Sequence, residues 1–289
     1  MLVQNKILKI ILGTAQLGLN YGPNKDAYVV SSERSGEILN HAYDLGIRYL
    51  DTATGYGESH KHVGNFHHEH SQKIFKIFTK ITMEEFQKNS NVVDEIIEDL
   101  GISHIEGILL HRQEDAMNED FRSYLFQKKA EGKINNVGLS LYYGSDFLKV
   151  VSFFKPDFVQ LPFNVLNNTS LHLEEFEYLK NHNIKIHGRS CFLRGALLEQ
   201  GRMNVPTEVI PWLDKISTLS ERAKITQEDL CINYATQSEE VEKIAIGVDN
   251  IDQLTNNLAS LSINIPNELM AEIEKIKIPN PDILDLRKW

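Results

Sequence analysis

The chain has 289 residues, 42% hydrophobic and 24% charged, a balance ordinary for a soluble globular protein. Its 40 acidic against 30 basic residues leave a formal charge of −10, which argues against a general polyanion-binding surface and so against nucleic acid as a partner. Two cysteines, Cys191 and Cys231, are too few for a disulfide framework, and no run approaches the ~18 apolar residues of a membrane span.

The first residues carry two lysines and a few aliphatics, without the apolar core or cleavage site of a leader. A cytoplasmic protein with no membrane partner is therefore expected. Ile7 to Leu12 reads as a first strand, ending at Gly13-Thr14-Ala15-Gln16-Leu17-Gly18. A loop from Tyr21 to Val30 turns at Gly22-Pro23-Asn24. Ser31 or Ser32 could cap a helix from Glu33 to Leu45, and Gly46 stops it.

The next strand begins at once in Gly46-Ile47-Arg48-Tyr49-Leu50-Asp51-Thr52-Ala53 and is followed by Thr54-Gly55-Tyr56-Gly57. It delivers a carboxylate at its end and a phenol on the turn beyond. A short helix from Glu58 to Phe66 precedes a loop from His67 to Ser71. The run Lys73 to Thr79 is a strand ending in Lys80, and Ile105 to Leu110 is another ending in His111. A helix from Asn91 to Leu100 lies between these two strands.

Beyond His111, helices are expected over Glu119–Glu131, Asp146–Phe154, Leu171–Asn181, Glu208–Arg222 and Gln227–Gln237. Strands are expected over Asn136–Ser140, Asp157–Leu161, Ile184–His187 and Lys243–Ile246. Helices over Asp252–Leu261 and Pro266–Ile276 lead into a short tail ending at Trp289. Strand and helix alternate about eight times, the pattern of parallel strands joined by crossover helices. A doubly wound sheet shows the same alternation, but Gly13 and Gly18 lack the G-x-G-x-x-G spacing after the first strand. Eight units are also the number that closes a ring. The expected fold is α/β, a (β/α)8 TIM barrel, and the absence of a linker or composition shift makes residues 1–289 a single domain with a short C-terminal tail.

In such a barrel the active site lies at the C-terminal ends of the strands. Asp51, Tyr56, Lys80 and His111 are all expected there. This constellation resembles the aldo-keto reductase family. The similarity continues through Gly138-Leu139-Ser140, Gln160-Leu161-Pro162-Phe163-Asn164, Arg189-Ser190, Arg194-Gly195, Gly247-Val248-Asp249, Gln253-Leu254 and Asn257. It covers about Ile10 to Ser260.

The resemblance implies reduction of an aldehyde or ketone by hydride from a nicotinamide cofactor, with a small-molecule carbonyl compound as the partner. A free phenol has a pKa of about 10, so it needs help to act as an acid. A nearby Lys80 ammonium favours the phenolate, Asp51 holds that amine charged, and His111 donates a hydrogen bond to the substrate oxygen. By resemblance, Thr14, Ala15 and Asp51 face the nicotinamide ribose, and Ser140 and Gln160 hold the carboxamide. Arg189, with Ser190 beside it, stands where many relatives stack a tyrosine on the ring; it contacts the ring, the pyrophosphate or the substrate.

Gly247 opens a loop into a helix starting near Asn250 or Asp252, and helix N-termini bind phosphate. Gln253 and Asn257 match positions near the adenine. Asp249 departs from relatives that carry a cation for the 2′-phosphate of NADPH. A carboxylate repels that phosphate but accepts a bond from a free 2′-hydroxyl. The expected cofactor is NADP(H), with NAD(H) as the alternative that Asp249 favours; the competing reading makes Asp249 the N-cap.

Other groups read as structural. His60, His62, His67, His68 and His70 are crowded enough to suggest a metal, but without cysteine or firm geometry a solvated loop is the simpler expectation, and no metal site is assigned. Cys191 and Cys231 read as buried small residues. Tyr21, Tyr142, Tyr143, Phe163 and Phe192 could line an aromatic pocket or simply pack, and the short tail suggests an open site. Two other functions fit a barrel: a nucleotide-binding sensor with little turnover, and an aldolase using Lys80 as a Schiff base. Neither oligomeric state nor the particular carbonyl substrate is legible.

Overall fold

The computed structural model describes residues 2–20, 30–144, 146–199, 201–202 and 205–289. The expected turn at Gly22-Pro23-Asn24 and Tyr21 lie outside the described residues. Eight short runs rich in Ile, Val, Leu and Phe form the strands: β1 (Ile10–Gly13), β2 (Tyr49–Asp51), β3 (Lys76–Ile81), β4 (Ile105–Leu110), β5 (Ile134–Ser140), β6 (Phe158–Pro162), β7 (Lys185–Arg189) and β8 (Lys243–Gly247). They pair in chain order, all parallel, and β8 closes on β1. This is the (β/α)8 barrel that the alternation implies.

Two cores hold it. Between strands and outer helices lies a large continuous cluster of aliphatic and aromatic side chains. Inside the barrel, Ile11, Phe78, Leu109 and Phe158 form a separate plug. The bulk of the two phenylalanines is accommodated by glycines. A Cβ on Gly107 would fall 2.4 Å from the Phe78 ring, and one on Gly138 would fall 2.7 Å from the Phe158 ring. Large and small residues thus interdigitate, as close packing requires.

Several boundaries differ from the sequence reading. Ile7 belongs to a helix, Leu2–Ile7, and the first strand begins only at Ile10. Its apolar residues suit either element, and a six-residue window cannot separate them. The helix after Tyr56 runs Ser59–Glu69, so His67 and His68 lie on a helix rather than a loop. Lys80 lies within β3, and β7 extends to Arg189, which carries that side chain onto the rim.

Candidate active site

Asp51 ends β2 and Lys80 sits one residue before the end of β3, and both are buried. Lys80 Nζ donates to Asp51 Oδ2 at 2.6 Å and to the Thr52 carbonyl at 3.2 Å. Burial alone would lower the lysine pKa, but the Asp51 carboxylate and the Tyr56 phenol, each through charge and hydrogen bonding, outweigh it and raise it. Lys80 is therefore held as an ammonium. Its Nζ lies 5.1 Å from the Tyr56 ring centre.

Two glycines bring Tyr56 into place. A Cβ on Gly18 would fall 1.9 Å from the Tyr56 carbonyl oxygen, and one on Gly57 would fall 2.3 Å from the Gly18 oxygen. Gly57 also has φ +54°, where a side chain is disfavoured. The turn carrying the phenol is thus pressed against the segment after β1. Below it, a buried hydroxyl chain fixes the strand end. Ser59 Oγ donates to Thr14 Oγ1 at 2.6 Å, Thr14 Oγ1 donates to the Asp51 carbonyl at 3.1 Å, and Thr52 Oγ1 lies 3.0 Å from Ser59 Oγ. Ser59 and Thr52 carry no sequence signal for this role, since only the fold joins them. The Thr14 hydroxyl is consumed inside this chain.

His111 follows β4, its backbone N–H donating to the Ile81 carbonyl at 2.9 Å. Its ring stands edge-on to Tyr56, with centres 6.0 Å apart. Burial first, then the Lys80 charge, lowers its pKa to about 4. At neutral pH it is an uncharged imidazole, able to donate from one nitrogen. The four side chains anticipated from the sequence therefore converge on one end of the barrel.

Gln160 joins them directly. Its Nε2 donates to Asp51 Oδ1 at 2.7 Å, while its Oε1 is buried without a hydrogen-bond partner. Ser140 is its register partner across β5 and β6. A buried amide oxygen left unpaired costs free energy that a bound donor can recover. Arg189 ends β7; its Nη2 donates to the Leu141 carbonyl at 3.1 Å, and its guanidinium lies 4.2 Å from the Tyr142 ring centre. Ser190 follows in the left-handed region, φ 59°, with its carbonyl accepting from Asn164 Nδ2 at 3.0 Å.

Ala15 opens the short helix Ala15–Gly18 after β1, and at the rim Gly13 pairs with Gly247 of β8. The space above Gly247 is taken by the Gln16 side chain, since a Cβ there would fall 2.4 Å from Gln16 Nε2. Asp249 is exposed and is not the helix N-cap. Asn250 caps the Ile251–Ser260 helix by accepting from the Gln253 N–H at 2.9 Å. Gln253 is turned back on Asp249, accepting its N–H at 2.8 Å and donating to its Oδ2 at 3.3 Å. Asn257 is buried on the same helix.

The other candidates separate from the site. His62 Nδ1 lies 2.7 Å from the Leu17 carbonyl, His67 Nδ1 lies 2.7 Å from the Leu100 carbonyl, and both rings are buried, so they are helix-packing residues rather than a solvated loop. No group of three or more His, Cys, Asp or Glu among the described residues is placed to hold a metal. Cys191 and Cys231 are free and buried, with burial pushing the Cys191 thiol up to about 12. Phe163 is fully buried against Phe176 and Tyr234 and lines no pocket, while the partly buried Tyr143 stacks on His172 and donates to the Pro162 carbonyl at 2.9 Å. Phe192 is partly buried against the main core. The C-terminal tail reaches the mouth: the Arg287 guanidinium lies 3.8 Å from the Tyr142 ring centre, and Arg194 Nη2 donates to the Leu286 carbonyl at 3.1 Å. The site is less open than the tail's length suggested. Two surface clefts, of about 440 Å³ beside Thr169 and Glu274 and about 390 Å³ beside Arg222 and Leu269, contain none of these residues.

The aldo/keto reductase family model matches residues 9–278. No curated protein sequence matches the chain. Among solved structures, the fold is similar to the holo form of an aldo-keto reductase from Bacillus halodurans, with TM-score 0.75 and 18% identity over 94% of this chain and 93% of that one. The apo form of that protein gives 0.74 and 19%, over 94% and 92%. A thermostable aldo-keto reductase in complex with the inhibitor epalrestat gives 0.71 and 15%, over 92% and 94%.

Proposed function

The chain belongs to the aldo/keto reductase family of NAD(P)-dependent oxidoreductases, and from that premise we propose that it reduces a small-molecule aldehyde or ketone to the alcohol with Tyr56 as the proton donor. The observation that supports this most is Lys80, bonded to Asp51 at 2.6 Å and with its Nζ 5.1 Å from the Tyr56 ring centre. A bound nicotinamide would supply the hydride to the carbonyl carbon. As charge then builds on the carbonyl oxygen, the Tyr56 hydroxyl delivers its proton there. The Lys80 ammonium stabilises the phenolate that remains, and Asp51 keeps that ammonium in place. The neutral His111 donates a hydrogen bond that orients the same oxygen.

The residues present fit such a cofactor. The unpartnered Gln160 Oε1, with Ser140 beside it, offers an acceptor for a carboxamide N–H. Arg189, Ser190, Ala15 and the Gly13–Gly247 rim lie at the same end, and Thr14 contributes by fixing Asp51. Gly247, Asp249, Gln253 and Asn257 would hold the far end, with the exposed Asp249 carboxylate weakening preference for NADPH over NADH. The raised pKa of Lys80 argues against a Schiff-base aldolase, which needs a neutral amine. A cytoplasmic location is part of this reading; no helix among the described residues is long and apolar enough to cross a membrane.

The test follows nicotinamide absorbance with a panel of small aldehydes, in the wild type and Tyr56→Phe. Removing the acid should cost about a hundredfold to ten-thousandfold in kcat while cofactor binding persists. Undiminished turnover in Tyr56→Phe overturns the assignment. Cofactor binding with no turnover of any carbonyl favours a sensor barrel instead.

A further inference from the structure

We propose that Arg189 is the receptor for an oxyanion, a carboxylate or phosphate, carried by the carbonyl substrate, a proposal that rests on the carbonyl-reductase reading of the site. Acidic residues outnumber basic ones 40 to 30 in this chain, and three arginines are paired with one, Arg202 with Asp214, Arg222 with Glu272 and Arg287 with Asp285. Arg189, at the rim of the barrel, is not. No carboxylate among the described residues lies within 4.0 Å of its guanidinium, the distance that defines an ion pair. One hydrogen bond, to the Leu141 carbonyl, uses one of its five N–H donors.

Its position gives those remaining donors a purpose. Arg189 is the last residue of β7 and half-buried, so its charge is at the catalytic end of the barrel rather than out in water. Its field reaches His111, whose proton affinity it helps to lower. An anion bound there shares the C-terminal mouth of the barrel with a carbonyl oxygen held by Tyr56 and His111.

The guanidinium is also held in a fixed orientation. It lies 4.2 Å from the Tyr142 ring centre, and the Arg287 guanidinium lies 3.8 Å from the same centre. Arg287 is gripped by both oxygens of Asp285, with Nη2 to Oδ2 at 2.6 Å and Nε to Oδ1 at 2.9 Å. Arg194 ties the tail down at the Leu286 carbonyl. The tail thereby steadies Tyr142, and Tyr142 steadies Arg189. A planar fork with spare donors, pre-oriented on an aromatic ring, suits bidentate recognition of an oxyanion.

The experiment compares butanal with 4-oxobutanoate, and glyceraldehyde with glyceraldehyde 3-phosphate, in the wild type, Arg189→Met and Arg189→Lys. The wild type should favour at least one anionic member by about tenfold or more in kcat/KM, and Arg189→Met should reduce that ratio about tenfold to a hundredfold, mainly through KM. Arg189→Lys should recover part of it. The pair that responds tells carboxylate from phosphate. An anionic-to-neutral ratio unchanged by Arg189→Met, with all aldehydes still reduced, overturns the subsite and leaves carbonyl reduction standing. Weaker cofactor binding in Arg189→Met with an unchanged ratio assigns the guanidinium to the cofactor and also overturns it. If no aldehyde is reduced, the carbonyl-reductase reading fails on its own. Calorimetry with succinate and inorganic phosphate then decides the subsite separately: binding lost in Arg189→Met supports it, and binding equal in the two proteins overturns it.

Discussion

Gln160 Nε2 donates to Asp51 Oδ1 at 2.7 Å, so both oxygens of one buried carboxylate are engaged, the other holding Lys80 at 2.6 Å. This makes Asp51 the junction between the proton-donating side of the site and the amide whose own oxygen is unpaired. Replacing Lys80 by Met leaves the carboxylate buried with a neutral donor alone. The expected loss is about 3–5 kcal/mol of stability, the usual consequence of stranding one member of a buried pair. The double variant Lys80→Met with Asp51→Leu should recover much of that loss while remaining inactive. Urea unfolding measures both, and a single variant as stable as the wild type sinks the idea.

Gln160 gives a second test. Gln160→Ala removes the unpartnered Oε1 together with a bond to Asp51. Cofactor affinity should fall about tenfold, the worth of one or two hydrogen bonds in a desolvated site. Gln160→Glu replaces the donor to Asp51 with a second carboxylate, and like charges at this distance should weaken binding further. Fluorescence titration with NADH and NADPH reports it. Equal dissociation constants in all three proteins would remove Gln160 from the cofactor site.

Much of the catalytic end is readable from the chain, because strand-end position and residue type are local properties. Asp51, Lys80 and His111 each terminate a run of β-formers, and the Gly55-Tyr56-Gly57 turn follows at once. What supports them is not local. The Gln160–Asp51 bond spans 109 positions, and Arg194 and Leu286 are 92 apart. The hydroxyl chain through Thr14, Thr52 and Ser59 likewise exists only once β1 and β2 are paired. Even the histidine-rich stretch misleads, since His62 and His67 are polar by type yet buried against carbonyls on neighbouring segments.

Gly18 is a test of positioning that touches no reacting group. Gly18→Ala places a Cβ 1.9 Å from the Tyr56 carbonyl and 2.4 Å from the Ser59 N–H nitrogen, both backbone atoms that cannot swing aside. The turn must shift outward, and a phenol moved by about 1 Å can lose roughly a hundredfold in rate. The decrease should appear in kcat, with cofactor affinity little changed. Wild-type turnover in this variant would mean that the contact does not set the phenol's place.

The pH response follows from four histidines. Burial is the leading cause that lowers His60, His111 and His172 to about 4 and His187 to about 3, with Lys243 and Lys185 adding to the effect at His187. A folded pKa below the unfolded value of 6.5 means that the unfolded chain takes up protons first as pH falls. Stability is therefore fully present above about pH 7 and declines between about 6.5 and 4, and on to about 3 for His187, by at most about 1.4 kcal/mol per pH unit for each ring. Urea midpoints should drop across this window. Because His111 stays neutral until the pH approaches about 4, kcat/KM should show no acid limb near 6.5, and a limb there that disappears in His111→Gln would contradict the neutral assignment.

Asp249 bears on cofactor choice, and freeing it from a capping role makes the substitution clean. Asn250 supplies the cap of the Ile251–Ser260 helix, so changing Asp249 leaves that interaction in place. What Asp249 does hold is Gln253, through its N–H at 2.8 Å and its Oδ2 at 3.3 Å. Its carboxylate is exposed, and Asp249→Lys converts a local negative charge to a positive one. For a phosphate a few ångströms away in a water-like dielectric, each unit charge is worth about 1 kcal/mol, so the reversal should move the NADPH-to-NADH affinity ratio roughly tenfold or more toward NADPH. Added salt should shrink that shift, because exposed charges are screened within about 10 Å at 0.1 M. Asp249→Asn should give about half of it in free-energy terms. A wild type that already binds NADPH far more tightly, or a ratio untouched by Asp249→Lys, would mean that the 2′-position lies elsewhere, with Arg189 or Arg194 as the cation that meets it; Lys243 opens β8 at the opposite end of the barrel and does not reach it.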